Sequence, residues 1–295
     1  MKILSWNLQG VGNPWTVRAL KFLVQNNSPD IFFLMETKLN RGEFGTICRS
    51  FVAFNSVISD ANGRRGGLAL FWNKNLDVTI NDVSENHIAF TAMNNSLDTQ
   101  WKGVGVYGWP EGGNKHLTCD LLKRVCADRS CPLVVFGDFN LFLYNYEKRG
   151  GRIRNQRELD DFQATIDDYG VADLGYDGHD FTWTNRRAGE HLIQARLDRF
   201  FANAKWQETF VDWTVYHLVR YHSDHCPILL STKEERQQFS TRPFRFEPMW
   251  MRHESFENCV VEAWGSEGSR GHIMDRVRGC GCSMKEWAFY NIGSV

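Results

Sequence analysis

The sequence predicts an α/β protein whose core is two mainly antiparallel β-sheets packed face to face and flanked by helices. Short runs rich in Ile, Val, Phe and Trp recur through residues 1–232, separated by polar or Gly-containing breaks, which is the pattern of many half-buried strands. Helix-like spacing is confined to a few segments between them. A doubly wound parallel sheet would need a helix after nearly every strand, so a two-sheet core fits better.

Taken in order, strands are expected at residues 3–8, 31–35, 51–57, 67–72, 76–83, 87–93, 102–108, 132–137, 181–184, 196–202, 211–219 and 226–231. Helices are expected at 16–27, 115–129 and 156–170; in the last, Leu159, Phe162, Ile166 and Tyr169 recur at helical spacing. No internal repeat or low-complexity tract interrupts this order. After Leu230 the composition changes to the polar, Pro-terminated KEERQQFSTRP, which reads as a linker. The expected organisation is therefore a domain over 1–232 and a partly helical tail over 233–295, with one amphipathic candidate helix near 254–264.

Bulk properties exclude several classes. With 42% apolar residues and only 7 Pro in 295, the chain can bury a sizeable core and is not extensively disordered. A formal charge of −1 supplies no overall positive field, so contact with nucleic acid must rest on local basic clusters and bound cations. The 8 Cys form no CxxC pair, and Cys280-Gly281-Cys282 is too tight for a zinc finger; reduced, mostly buried thiols are expected. There is neither an apolar run of about 18 residues nor a signal-type start, so a soluble intracellular protein without a membrane partner is expected.

Candidate chemistry collects at strand ends. In SWNLQG, Ser5, Asn7 and Gln9 alternate with Leu4, Trp6 and Leu8, which points the Asn7 amide away from the apolar side. Glu36 closes the apolar run IFFLM and is either a solvated strand terminus or a ligand for a hard cation. In GDFN, Asp138 and Asn140 would share one side if the strand continues, a carboxylate to take a proton from water and an amide to orient it. Gly, Asp and Asn are equally turn formers. Asp198 in RLDRF is a charge within an apolar strand, costly unless paired, and His225 in HSDHCPI is the natural partner. An imidazolium so held can neutralise a phosphoryl oxygen. Two basic segments, NRRAGEHLIQARL and EKRGGRIRNQR, are either solvated loops or phosphate contacts through Arg186, Arg187, Lys148, Arg149, Arg152, Arg154 and Arg157.

The ordered set WN, ETK, GVYGWP, GDFN, FTWTN, RLDRF and SDHCPI resembles the endonuclease/exonuclease/phosphatase superfamily over residues 1–232. SWNLQGVGNPWT, METK, GVYGWP, FTWTNRR and RPFRFEPMW further resemble the endonuclease domain of plant LINE-type (non-LTR) retrotransposon proteins. The tail resembles the connector to a reverse transcriptase, whose aromatic-Ala-Asp-Asp motif the chain lacks. The resemblance implies a four-layer α/β sandwich and a Mg²⁺-dependent phosphodiesterase, with Mn²⁺ as a substitute, that nicks one strand of DNA. It implies Asn7, Glu36 and Asp224 at the cation, Tyr107 on the scissile phosphate, Asp138 and Asn140 on the attacking water, and Asp198 behind His225. It places Thr182, Asn185, Arg186, Arg187, Arg152 and Arg154 at DNA, and implies a nuclear location with no obligate protein partner. VFGDFNLFL and ARLDRFF depart from inositol-phosphatase patterns. An apurinic/apyrimidinic repair endonuclease and a catalytically idle retroelement remnant are the alternatives.

Overall fold

The computed structural model describes residues 1–63, 65–94, 98–151, 156–232, 250–251, 253–265, 280, 283–284 and 287. The chain divides into two compact units, Met1–Arg236 and Gln237–Val295. The first begins with β1 (Lys2–Asn7), α1 (Pro14–Asn27), β2 (Ile31–Met35) and α2 (Arg41–Cys48). It continues through β3 (Phe54–Ser59), β4 (Leu68–Asn73), β5 (Val78–Val83), β6 (His87–Asn94), β7 (Thr99–Tyr107), α3 (His116–Val125) and β8 (Leu133–Asp138). Then come β9 (Lys148–Arg149), α4 (Gln156–Asp168), β10 (Val171–Asp173), β11 (Asp177–Gly178), β12 (Trp183–Thr184) and β13 (Gln194–Ala195). It closes with β14 (Asp198–Asn203), α5 (Ala204–Thr209), β15 (Trp213–His217) and β16 (Ile228–Thr232).

Two large sheets result. A seven-stranded sheet has the order β11-β15-β16-β1-β2-β4-β3, and a six-stranded sheet has the order β10-β14-β8-β7-β6-β5. Most neighbours are antiparallel, as expected, but β1–β2, β7–β8 and β11–β15 are parallel. The crossovers α1 and α3 create the first two of these pairs, because a parallel return needs a connection long enough to cross the sheet.

Alternation along each strand sorts side chains into layers. Ile3, Phe33, Met35, Phe90, Val134, Phe136 and Phe200 fill the space between the sheets. Leu4, Trp6, Phe32 and Leu34 face the opposite way and pack with Leu20 and Leu23 of α1 and Phe44 of α2. Val135, Phe139 and Phe201 likewise pack under Leu121 and Leu122 of α3 and Phe162 and Ile166 of α4. The first unit is thus the four-layer α/β sandwich.

Helix ends follow local chemistry. Asn13 caps α1 by accepting from the Trp15 N–H, with Pro14 at the first turn where no donor is needed. Asn40 and Glu43 form a reciprocal capping box on α2, a helix that the apolar spacing did not predict. The face of β1 that carries Ser5 and Asn7, opposite Leu4, Trp6 and Leu8 as the alternation implies, is enclosed as well. Both residues are buried, because that face lies against the second sheet. No described helix is long and apolar enough to cross a membrane.

In the second unit, α6 (Phe256–Gly265) covers most of the predicted amphipathic stretch. There Trp250 and Phe256 pack with Val260, Met284 and Trp287.

Candidate active site

Strand register brings the polar residues together at one end of the inter-sheet core. Asp138 lies opposite Asp198 on one side and Tyr107 on the other. Because Asp138 and Asp198 share a face with Phe136 and Phe200, both carboxylates point between the sheets. From the other sheet, Asn7 ends β1 beside Met35, one residue before Glu36. The polar cluster is therefore the terminal layer of the hydrophobic core, built from the last residues of its central strands.

A continuous chain of contacts crosses this layer. Asp198 Oδ2 lies 2.8 Å from His225 Nδ1, and His225 Nε2 lies 3.6 Å from Asp138 Oδ2. Asn7 Nδ2 donates to Asp138 Oδ2 at 3.0 Å and to Glu36 Oε1 at 3.3 Å. Tyr107 donates its hydroxyl to the same Glu36 oxygen at 2.8 Å, and Lys38 Nζ approaches Glu36 Oε2 at 3.3 Å. The left-handed backbone of Glu36 (φ 49°) and Asn140 (φ 52°) is the conformation that strained functional loops store.

Electrostatics follow burial and pairing. Burial pushes the Asp138 carboxyl well up, and Asp198 adds to the shift, against the pull of His225 and the donors from Asn140 and Asn7. Burial alone would lower the His225 pKa; the Asp198 and Asp138 carboxylates outweigh it and raise it, favouring an imidazolium. Burial first, then the Glu36 charge, holds Tyr107 as a neutral phenol that can only donate toward an anion.

The remaining expected residues fall in three groups. Asn140 donates its backbone N–H to Asp138 Oδ1 at 2.9 Å, while its side-chain amide binds the Gly108 carbonyl at 2.9 Å. The strand stops at Asp138, so this segment is both a turn and part of the site. Asp224 flanks the cluster, its Oδ2 accepting from Trp183 Nε1 at 3.0 Å and its Oδ1 from the Ser223 hydroxyl at 3.4 Å. Thr182, expected at a DNA backbone, is fully buried and cannot touch one. Its hydroxyl instead accepts from the Leu197 and Asp198 N–H groups, each at 3.0 Å.

The two basic segments meet. Lys148 and Arg149 of β9 pair with β13, which pairs with β12, making a three-stranded ribbon from both. Asn185 organises the intervening loop by accepting from the Arg187 and Ile193 N–H groups. Arg186 and Arg187 are both exposed, and Arg186 donates to the His222 carbonyl. Arg152 and Arg154 lie outside the described residues.

Three features escaped sequence reasoning. Ser223 donates to the Asn7 carbonyl at 2.6 Å and accepts from the His225 N–H at 3.1 Å, tying the two halves of the site. Beneath β14, Arg199 and Arg196 bind Glu147 and Asp173 in a buried ionic cluster; Arg199 Nη1 reaches Glu147 Oε1 at 2.8 Å and Asp173 Oδ2 at 2.7 Å. The only local clue was two Arg three residues apart at the start of an apolar strand. A cleft of about 580 Å³ opens beside Glu36 and Tyr107, with Lys38, Arg65 and Trp109 in its wall.

The described residues contain one cluster of potential metal-ligating groups, Asp138, Asp198 and His225, with ligand atoms within 4.8 Å of one another. Its imidazolium already sits between the two carboxylates as their cation, so a metal there would have to displace it. Glu36 suits a hard cation better: its carboxylate lies at the edge of an open cleft, as Mg²⁺, which keeps several of its waters, requires. Behind it Asn7 donates through Nδ2 to Glu36 while its Oδ1 accepts from the Gln9 N–H.

The profile of the Endonuclease/Exonuclease/phosphatase family matches residues 4–225. No curated protein sequence matches the chain. Among solved structures, the endonuclease domain of TRAS1, a telomere-specific non-LTR retrotransposon, superposes with TM-score 0.59 at 18% identity, over 81% of this chain and 99% of that one. The 3′-5′ exonuclease NExo from Neisseria meningitidis gives 0.61 at 20% identity, over 79% and 99%. The AP endonuclease LMAP from Leishmania major gives 0.61 at 18% identity, over 78% and 86%. At these identities the likeness is one of fold.

Proposed function

Because the chain belongs to the endonuclease/exonuclease/phosphatase family, we propose that it is a Mg²⁺-dependent phosphodiesterase that nicks one strand of DNA. The observation that carries this reading is the chain Asp198–His225–Asp138–Asn7, all buried, leading to the partly exposed Glu36 at the mouth of the core. It supplies a base, a fixed cation and neutral donors within one layer. Phosphodiester hydrolysis at neutral pH needs those parts and a metal ion.

In this reading Asp138 takes the proton of the attacking water. Asn7 holds one of its oxygens and the Asn140 N–H the other, which leaves the carboxylate one orientation. His225 turns Nε2 toward a phosphoryl oxygen, with Asp198 fixing its Nδ1 side. Tyr107 exchanges its Glu36 partner for a second phosphoryl oxygen. Glu36, Asn7 through its Oδ1, and Asp224 would hold the cation, with Mn²⁺ as a substitute. When bound, it supplies positive charge to the phosphate as negative charge builds.

DNA as the substrate rests on the basic ribbon and its loop. Arg187 in the loop and Arg149 on β9 are both exposed, where a groove and a phosphate backbone could reach them. Such a substrate carries the expectation of a nuclear location with it. Plasmid nicking with Mg²⁺ or EDTA tests the proposal, using wild type, Asp138→Ala and His225→Ala. Relaxation of supercoiled plasmid by wild type with Mg²⁺, at least about 100-fold faster than by either variant, is expected from the loss of a general base or a charge-stabilising group. Equal rates for all three would sink it. Cleavage at a single abasic site faster than in matched intact duplex would assign the site to repair instead.

A further inference from the structure

Helix α1 carries an exposed stripe that neither the core nor the proposed reaction uses. Trp15, Arg18 and Phe22 are spaced i, i+3 and i+7, so they share one face, and all three are exposed. Trp15 is 57% and Phe22 50% exposed, which is unusual for rings of that size on a helix packed on a sheet. The loop before His225 adds two further rings. His222 lies 6.0 Å from Trp15 with a 36° tilt, and Tyr221 meets Phe22 edge-on at 6.2 Å. The Arg18 guanidinium covers one side of the Trp15 ring at 4.9 Å.

The stripe is continuous with the candidate active site. His222 immediately precedes Ser223, which is bonded to Asn7, and Arg186 of the hairpin loop holds the His222 carbonyl. Its charge is also biased: α1 contains Arg18 and Lys21 but no Asp or Glu, within a chain of net charge −1. Aromatic rings beside a cation, leading away from a phosphodiester site, match what unpaired nucleotides bind. Their base faces stack on rings and their phosphates pair with Arg. Paired bases cannot use such a surface, because their faces are covered by neighbours.

Resting on the nuclease reading above, we infer that Trp15 and Phe22 form a stacking track for unpaired bases of DNA adjoining the scissile phosphate. The protein then engages substrates that carry a single-stranded segment beside the cleavage point. The seven-residue spacing sets the rings about 10 Å apart along the helix, a span that successive splayed nucleotides can bridge.

The test separates stacking from phosphate contact and from hydrolysis. The full chain in EDTA is titrated with a 12-nucleotide oligothymidylate, and with a backbone of equal length made of abasic units, following tryptophan fluorescence and anisotropy. Wild type is expected to bind the thymidylate roughly 10- to 100-fold more tightly than the abasic strand. Trp15→Ala should abolish most of that difference, Phe22→Ala part of it, and Trp15→Phe should retain it, all with unchanged thermal midpoints. Equal wild-type affinity for the two strands overturns the inference. So does a Trp15→Ala loss that is the same on both strands, or an effect confined to self-association. These arms contain no metal and no cleavage, so a wild type that fails to nick plasmid yet discriminates the strands removes the nuclease reading alone.

Discussion

Thr182 shows how a single hydroxyl can serve the site without touching substrate. Two consecutive N–H groups, of Leu197 and Asp198, end on its Oγ1, and Asp198 in turn fixes His225. Thr182→Val keeps the shape and removes the acceptor, leaving two buried donors unpaired at a cost of about 1–3 kcal/mol each. The expected outcome is a lower thermal midpoint and a lower nicking rate with an unchanged KM for DNA. A raised KM with an unchanged midpoint would return Thr182 to the DNA surface. His217 makes a second prediction at this scale. Burial lowers its pKa to about 4; it stacks on Tyr176 at 4.3 Å, and its buried Nε2 has no hydrogen-bond partner. An unfolded histidine protonates near 6.5, so between about 4 and 6.5 the unfolded chain binds the extra proton and stability falls as pH falls. Over that window this residue contributes roughly 3 kcal/mol of acid sensitivity at most. Thermal midpoints of His217→Phe measured from pH 4 to 7 should decline less steeply than those of wild type; parallel curves would refute the assignment.

At the scale of elements, the strands were legible because each carries its own apolar period, and the catalytic candidates were legible because they end those strands. Asn7, Glu36, Tyr107 and Asp138 all stand at or next to a strand's last residue. What stayed hidden depends on pairing between distant segments. Glu147 looked like one charge in a basic loop, yet it is buried between Arg196 and Arg199, about fifty positions away. β9 and β13 are two residues each, too short for any period, and exist because the ribbon pairs them. Alternation along β1 set Asn7 apart from Leu4, Trp6 and Leu8 but carried no sign that the second sheet covers its face and makes it a buried donor joining Asp138 to Glu36. Helix α2 was announced only by its Asn40 and Glu43 box.

At the scale of the whole molecule, every described candidate catalytic and cation-holding residue lies in the first unit, and the family match ends at residue 225. That unit owns three extended apolar clusters, between the sheets and under each helical layer. Its N- and C-terminal strands, β1 and β16, are neighbours in the sheet, and the Met1 amino group donates to the Thr232 carbonyl at 3.1 Å. The chain is therefore closed on itself before the second unit begins. The second unit has a small cluster of its own around Trp250, Phe256 and Trp287. A chain ending at Arg236 should accordingly fold alone, with a thermal midpoint within about 4 °C of the full protein, since 1 kcal/mol moves a domain of this size by roughly 2–4 °C. Its plasmid-nicking rate with Mg²⁺ should match that of residues 1–295 within about threefold. Aggregation, or a cooperative transition many degrees lower, would show that residues 237–295 complete the core. A normal midpoint with lost nicking would show that they complete the site.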